Sequence, residues 1–146
     1  SKHLANLCPA IRIEGDDAMS ADQNMQLVRR YFDEVWNKGN LEILDELAPE
    51  LVSKGFKEFV RSQRTALGNF QATILDLFAD QDRVALHWQV NAIHQSDYLG
   101  VAATGKSVTF RGISMFRIAE GKIVDDFGYW DDLPVLKQIG ATSIPQ

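Results

Sequence analysis

The amino-acid sequence predicts a single α+β domain in which a curved antiparallel β-sheet packs against N-terminal helices. Apolar residues recur at helical spacing in the first half of the chain, and from Phe70 the spacing changes to the alternation typical of strands. Helices followed by a run of strands favour an α+β fold over a parallel α/β sheet. The 146 residues, 45% of them hydrophobic, are enough for one compact core. We expect this domain to span residues 19–146, with residues 1–18 as an N-terminal tail or a cloning remnant.

Three helices are predicted before the strands. The first begins at a capping box, Ser20–Gln23, and ends at Gly39, since glycine is a frequent helix stop. A short second helix is capped by Asn40 and ends at Pro49, and a third spans residues 54–67. The apolar stripe of the first helix consists of Met25, Val28, Phe32 and Val35, widened by Leu27, Tyr31 and Trp36.

Four strands and a terminal helix complete the predicted fold. The strands span Phe70–Ala79, Arg83–His94, Thr109–Ile118 and Lys122–Trp130. The last two form a hairpin through the Glu120-Gly121 turn, whereas residues 95–105 form an irregular link. The terminal helix follows Asp131, which suits an N-cap, and ends at Gly140. A strongly curved sheet closed by the helices would enclose an apolar ligand pocket.

Composition excludes several classes of function. The net charge of −5 disfavours a nucleic-acid partner or an anionic membrane surface. The single cysteine, Cys8, cannot form a disulfide within the chain or a cysteine-based metal cluster. No apolar run approaches the roughly 20 residues of a membrane span, and residues 1–18 lack the features of a secretory signal. We therefore expect a cytoplasmic protein without a membrane partner.

Asp126 is the first candidate for catalysis. Side chains alternate along the last strand, so that one face carries Val124, Asp126, Gly128 and Trp130, and the other carries Ile123, Asp125, Phe127 and Tyr129. A carboxyl group in an apolar pocket has a raised pKa, which suits a general acid or base near neutral pH. The alternative is a solvated carboxylate at the sheet rim, or one paired with Arg117 or Lys122.

His94 is the second catalytic candidate. It shares the face of Trp88 and could orient a substrate oxygen or pair with Asp126, but a buried, hydrogen-bonded structural histidine is an equal alternative. Aromatic side chains could wall a cavity for a flat apolar ligand, although ordinary core packing is the alternative for each of them. The predicted substrate-binding residues are Trp36, Phe32, Trp88, Tyr98, Ser114, Phe116 and Trp130. No set of residues has metal-ligand spacing, and we predict neither a metal nor a cofactor.

Several segments carry a resemblance to a known family: Tyr31 to Asn40, Gly55 to Val60, Asp82 to Ala85, His94, Tyr98 to Gly100, Thr104 to Lys106, Arg111 to Ile113, Phe116 to Ile118, Gly121 to Ile123, and Trp130 to Asp131. Over residues 22–140 the chain resembles the SnoaL-like polyketide cyclases, which share the cone fold of nuclear-transport-factor-2-like and ketosteroid-isomerase-like proteins. The resemblance implies that the acid/base aspartate of those cyclases falls on Gly128, their histidine on Ser114, and a tyrosine or phenylalanine of their first helix on Trp36. Asp126 is the nearest substitute for that aspartate.

Two functions are open at this point. One is a cofactor-independent enzyme of the cyclase, isomerase or hydrolase type, acting by acid/base chemistry on a polyketide-, steroid- or terpenoid-like substrate. The other is a non-catalytic protein of the same fold that binds a small hydrophobic ligand. The resemblance also implies a homodimer through the convex sheet face, whose mixed polar and apolar residues include His87, Gln89, Asn91, Ile93, Arg111, Ile113 and Met115.

Overall fold

The computed structural model describes residues 20–141, so the expectation for residues 1–18 lies outside the described part of the chain. The helical half contains α1 (Ala21–Tyr31), a π-helical turn (Phe32–Asn37), a 3₁₀ turn (Leu41–Ile43), α2 (Leu44–Leu47), α3 (Pro49–Ser53) and α4 (Phe56–Ala66). The sheet contains β1 (Leu67–Asp80), β2 (Arg83–His94), β3 (Ser107–Ala119) and β4 (Lys122–Trp130), and α5 (Leu133–Gln138) follows it. No helix within residues 20–141 is both long and apolar enough to span a membrane.

The four strands form one antiparallel sheet in the order β1-β2-β3-β4, so each strand pairs with its neighbour in sequence. This arrangement, preceded by helices, confirms the predicted α+β class with a curved sheet. The face of the sheet toward the helices is called the inner face, and the opposite one the outer face. Inner-face residues of β2 are buried at every second position from Val84 to His94, as the sequence alternation predicted.

The helical half differs from the prediction in three places, one of which is Asn40, whose side chain makes no capping hydrogen bond. The first helix does not run uniformly to Gly39, because the α-helical pattern stops at Tyr31 and a π-helical turn follows. Pro49 does not end the second helix but begins α3, where a missing backbone N–H removes no helical hydrogen bond. The capping box at Ser20 is present, with the Ser20 hydroxyl accepting from the backbone N–H of Gln23.

The last strand contains a β-bulge at Val124. Asp125 lies opposite Arg117 and Ile123 lies opposite Ile118, so Val124 is the extra residue between two pairs. The sequence alternation placed Ile123 on the face away from Asp126, and this prediction is wrong. Ile123 is fully buried in the core on the inner face, because the bulge shifts the alternation by one residue.

Exposed apolar side chains occupy one half of the outer face. Ile113 lies opposite Tyr129 and Met115 lies opposite Phe127, so these side chains are cross-strand neighbours. Tyr129 is 73% exposed and Phe127 is 50% exposed. A second group of polar side chains covers the other half of this face, namely Gln71, Thr73, Gln89, Asn91, Thr109 and Arg111.

Candidate functional site

A cavity of about 310 Å³ lies between the inner face and the helices. Such an apolar cavity with few polar groups is typical of a small-molecule site. All three tryptophans of the chain line it, and no Lys or Arg within residues 20–141 does. Its lining consists of Tyr31, Phe32, Trp36, Phe56, Phe59, Gln63, Phe70, Ala72, Trp88, Val90, Phe110, Ser114, Phe116, Asp126, Gly128 and Trp130.

Asp126 reaches the cavity from β4, where it lies opposite Phe116 on β3. Its Oδ2 atom accepts a 3.0 Å hydrogen bond from the hydroxyl of Tyr31, the last residue of α1. Tyr31 is fully buried and packs edge-on against Phe116, with ring centroids 5.5 Å apart. The carboxyl group is therefore held from the helical side and from the sheet side at once.

Burial controls the protonation of this pair. Desolvation raises the pKa of Asp126 to about 6, and the hydrogen bond from Tyr31 opposes that rise by favouring the ionised form. The pKa of Tyr31 is raised well above its usual range, first by burial and then by the negative charge of Asp126. Tyr31 therefore stays protonated as a donor, while Asp126 exchanges a proton near neutral pH, as a general acid or base must.

The π-helical turn brings Trp36 beside Tyr31. The indole N–H of Trp36 lies 3.4 Å from the Tyr31 hydroxyl oxygen, although the two residues are five positions apart. Positions with that spacing point in very different directions on a regular α-helix, and the wider π-helical turn aligns them. The guanidinium of Arg64 binds the carbonyl oxygens of Trp36 and Asn37 at the end of this turn and so holds it in place.

Glycine at position 112 makes room for the aromatic wall of the cavity. Gly112 lies opposite Trp88 on β2 and Trp130 on β4, in the middle of the inner face. A Cβ atom at this position would be 2.2 Å from Cζ2 of Trp88, a distance that atoms in contact do not reach. The two indoles, whose ring centroids are 6.1 Å apart, can therefore cross the sheet only above a glycine.

Ser114 is, after Asp126, the second polar residue of the sheet that lines the cavity. It is buried, lies opposite Gly128, and its Oγ accepts a 3.0 Å hydrogen bond from the indole N–H of Trp88. A Cβ atom at Gly128 would lie 3.4 Å from this oxygen. The glycine therefore leaves Ser114 open to the cavity.

The structure places Asp126, Phe32, Trp36, Trp88, Ser114, Phe116 and Trp130 around the cavity, and it places two predicted site residues elsewhere. His94 is buried near the end of β2, where its Nδ1 lies 2.9 Å from Oγ1 of Thr104. It does not pair with Asp126, because the strand carries it past the end of the cavity. Its Nε2 has no hydrogen-bond partner within residues 20–141.

Tyr98 also lies outside the cavity lining. Its hydroxyl donates a 2.6 Å hydrogen bond to Oδ1 of Asp132, and the same oxygen accepts from the indole N–H of Trp130 at 3.0 Å. Tyr98 therefore acts on the cavity only by helping to fix the Trp130 indole. The N-cap of α5 is Asp132 and not Asp131 as predicted, although Oδ1 of Asp131, one residue earlier, accepts from the backbone N–H of Leu133.

The alternative pairings of Asp126 with Arg117 or Lys122 do not occur. The Nε atom of Arg117 lies 3.0 Å from Oδ2 of Asp125, and the Nζ atom of Lys122 donates to the carbonyl oxygen of Glu46. Neither of these two basic side chains therefore neutralises the carboxyl group of Asp126. Among the described residues, no group of histidine, cysteine, aspartate or glutamate side chains is arranged to hold a metal ion.

Several lining residues were not identified from the sequence. Tyr31 lies on the apolar stripe of the first helix, a position that predicts packing in the core and indicates no partner for its hydroxyl. Phe56, Phe59 and Gln63 face the cavity from α4, at the helical spacing that the sequence does show. Gln63 is a polar residue on the otherwise apolar side of that helix. This exception is the signal in the sequence that could have identified the helix as part of the cavity wall.

Comparison with known proteins identifies relatives of this fold. The family model described as SnoaL-like polyketide cyclase matches residues 26–139. No curated protein matches the chain.

Three solved structures illustrate the similarity. AclR, a candidate hydroxylase from Streptomyces galilaeus, is 24% identical with a TM-score of 0.75, covering 85% of this chain and 100% of its own. TsrD from Streptomyces laurentii is 21% identical with a TM-score of 0.76, covering 84% and 98%. A candidate polyketide cyclase from Acidithiobacillus ferrooxidans is 25% identical with a TM-score of 0.72, covering 86% and 100%. These similarities show the shared fold.

Proposed function

Because this chain belongs to the SnoaL-like polyketide cyclase family, we propose that it is a cofactor-independent cyclase or isomerase that acts on a small apolar carbonyl compound. The observation that carries the proposal is the Asp126 carboxyl, which faces the cavity and has its pKa raised to about 6. A base with a pKa near the working pH combines a useful ionised fraction with sufficient basicity. Asp126 itself supplies the proton transfer, so the proposal requires no cofactor.

The proposed reaction begins with ionised Asp126 removing a proton from the carbon beside a substrate carbonyl. The electrons of the C–H bond form a C=C bond, and the carbonyl oxygen becomes an enolate. In an isomerisation, neutral Asp126 then returns the proton to another carbon of the substrate. In a cyclisation, the enolate carbon attacks a second carbonyl of the same molecule, and Asp126 gives its proton to the new alkoxide.

The cavity lining supports an uncharged, apolar substrate. Ten of the sixteen lining side chains are aromatic, and Asp126 is the one carboxyl group among them. A ligand with a carboxylate or phosphate would lose its hydration there without gaining a cationic partner. Polyketide-, steroid- and terpenoid-like ketones, which are flat or compact and uncharged, fit this lining.

Exchange with deuterated water tests the proposal. A panel of polyketide-, steroid- and terpenoid-like ketones is incubated with the protein in D₂O, and deuterium uptake beside the carbonyl is followed by mass spectrometry. We expect enzyme-dependent exchange for at least one compound and a loss of about 10²–10⁴-fold in Asp126→Asn. Asp125→Asn is the matched control, because its carboxylate pairs with Arg117 away from the cavity.

A non-catalytic ligand-binding protein of the same fold is the second candidate. The observation in its favour is Gly128, which stands where the similar cyclases have their acid/base aspartate. Binding of a ketone without deuterium exchange would favour this reading over the enzyme, whereas full exchange by Asp126→Asn would show that a group other than Asp126 transfers the proton.

A homodimer through the outer face is the proposed assembly. The polar side chains expected at the interface largely pair within the chain: Arg111 binds Gln89 at 2.9 Å, and Thr109 binds Asn91 at 2.7 Å. Since the exposed apolar half carries Phe127 and Tyr129 without such partners among residues 20–141, it is the better centre for contact with a second copy. The cytoplasmic location and the absence of a nucleic-acid partner stay predictions from composition.

A further inference from the structure

We infer that Ser114 is the hydrogen-bond donor that binds the carbonyl oxygen of the substrate, with Trp88 fixing the direction of its hydroxyl. This inference rests on the proposed function, because it assigns the polar contact by which the same cavity orients a ketone. It gives Ser114 a role distinct from that of Asp126, which exchanges the proton.

The Ser114 hydroxyl has a proton available to donate to a ligand. An indole N–H can only donate, so the 3.0 Å contact between Nε1 of Trp88 and Oγ of Ser114 uses a lone pair of the serine. The serine proton is then left to donate, and within residues 20–141 it has no acceptor. Ser114 is 8% exposed and lines the cavity, so its donor proton, which has no acceptor among these residues, calls for an acceptor atom from the ligand.

The register of the sheet places Ser114 at a suitable distance from Asp126. Ser114 lies opposite Gly128, and Asp126 lies two residues before that glycine, so Ser114 and Asp126 are diagonal neighbours on the inner face. Diagonal neighbours in an antiparallel pair are about 7–8 Å apart. That separation admits a carbonyl group whose oxygen accepts from Ser114 and whose neighbouring carbon faces Asp126.

Charge development makes the same contact useful for catalysis. When Asp126 removes a proton from that carbon, negative charge moves onto the carbonyl oxygen. A donor that is already aimed at this oxygen stabilises the enolate without having to reorient. The space left by Gly128, beside Ser114, lets the oxygen approach the hydroxyl.

Two probes of nearly equal shape test the assignment. 2-Acetonaphthone carries a ketone oxygen that 2-ethylnaphthalene lacks, and both are uncharged and flat. Titrations are followed in ¹H–¹⁵N spectra through the three tryptophan indole N–H signals, all of which come from cavity residues. We expect wild type to bind the ketone about tenfold more tightly than the hydrocarbon, the usual scale of one net hydrogen bond.

Variants at position 114 separate the hydroxyl from the space that it fills. Ser114→Ala should bring the two dissociation constants to near equality, whereas Ser114→Thr, which keeps a hydroxyl, should preserve the ketone preference. The ratio is the readout, so a change of packing that weakens both probes equally does not affect it. Ser62→Ala is the control, because that hydroxyl binds the carbonyl oxygen of Phe59 on the exposed side of α4.

The outcomes distinguish an error in the assignment of Ser114 from an error in the proposed ligand cavity. If wild type binds both probes equally, or if Ser114→Ala keeps the ketone preference, the assignment of Ser114 is wrong and the cavity stands. A loss of preference in Ser114→Thr as large as in Ser114→Ala also overturns it. If wild type binds neither probe, both this inference and the proposed small-molecule cavity fail.

Discussion

The Tyr31 hydroxyl donates a 3.0 Å hydrogen bond to Oδ2 of Asp126 and thereby joins the end of α1 to the middle of β4. The two residues are 95 positions apart in the chain. This contact explains how a carboxyl group is tolerated in an aromatic cavity: one fully buried donor satisfies part of its hydrogen-bonding capacity.

Removal of the Tyr31 hydroxyl should raise the pKa of Asp126 above about 6. The hydrogen bond favours the ionised carboxylate, so Tyr31→Phe leaves desolvation unopposed. The measurement is the pH titration of the Asp126 carboxyl carbon by NMR, and any rate that depends on ionised Asp126 should shift to higher pH with it. Tyr129→Phe, on the exposed outer face, should leave the titration unchanged.

Asp126→Asn should raise the free energy of unfolding at pH 7. The pKa of Asp126 is about 6 in the folded protein and near 3.8 in the unfolded chain, so the folded state binds the proton more tightly. Stability is therefore lost as pH rises from about 4 to 6, and the charged form remains costly at pH 7. We expect a gain on the order of 2 kcal/mol at pH 7, and almost none at pH 4.

Urea unfolding of both proteins at the two pH values measures this effect. A gain of equal size at pH 4 and pH 7 would show that ionisation of Asp126 is not its cause. Asp125→Asn serves as the control, since its partly exposed ion pair with Arg117 should give no gain at either pH.

Alanine should destabilise the protein at one inner-face glycine, Gly112, and have little effect at the other, Gly128. Gly112→Ala forces Trp88 to move, because the new Cβ would be 2.2 Å from its ring, and overpacking of this kind costs about 1–3 kcal/mol. Gly128→Ala places the Cβ 3.3 Å from the Trp130 ring, which needs only a small adjustment. Thermal unfolding and the Trp88 indole signal should therefore change in the first variant and little in the second.

Ile113→Lys should dissociate the proposed homodimer. Ile113 is 54% exposed and lies opposite Tyr129, so a charge there disrupts the apolar half of the outer face without entering the core. Light scattering at tens of micromolar should give a dimer mass for wild type and a monomer mass for the variant. Thr73→Lys, on the polar half of the same face, should remain dimeric. A monomeric wild type would contradict the proposal.

Local patterns sufficed to predict most of the fold. The bounds of β2 and β4 agree with the prediction, because alternation and turn residues mark both ends of each strand. The bulge at Val124 was not predictable from alternation. Residues before and after the bulge each still alternate between the two faces, and only the phase between the two segments changes by one residue. The π-helical turn was missed for a similar reason: apolar residues at Phe32 and Val35 fit an α-helical stripe equally well.

For the candidate site, the sequence predicted which face of the sheet a strand residue lies on, but not which residues of that face reach the cavity. Alternation correctly placed both Asp126 and His94 on the inner face. It could not say how far along a strand of 12 residues the cavity extends, and His94 lies beyond it. The role of Tyr31 depends on a contact between distant parts of the chain, and no periodicity in a single sequence reports such a contact.

One layer of backbone separates the cavity from the outer face in β3 and β4. Ser114, Asp126 and Gly128 face inward, and the residues between or beside them, such as Phe127 and Met115, face outward. The proposed ligand site and the proposed dimer surface are therefore encoded by alternate codons of the same short stretch of gene. A single substitution in this stretch can therefore change the side chains of one of these two faces while leaving those of the other unchanged.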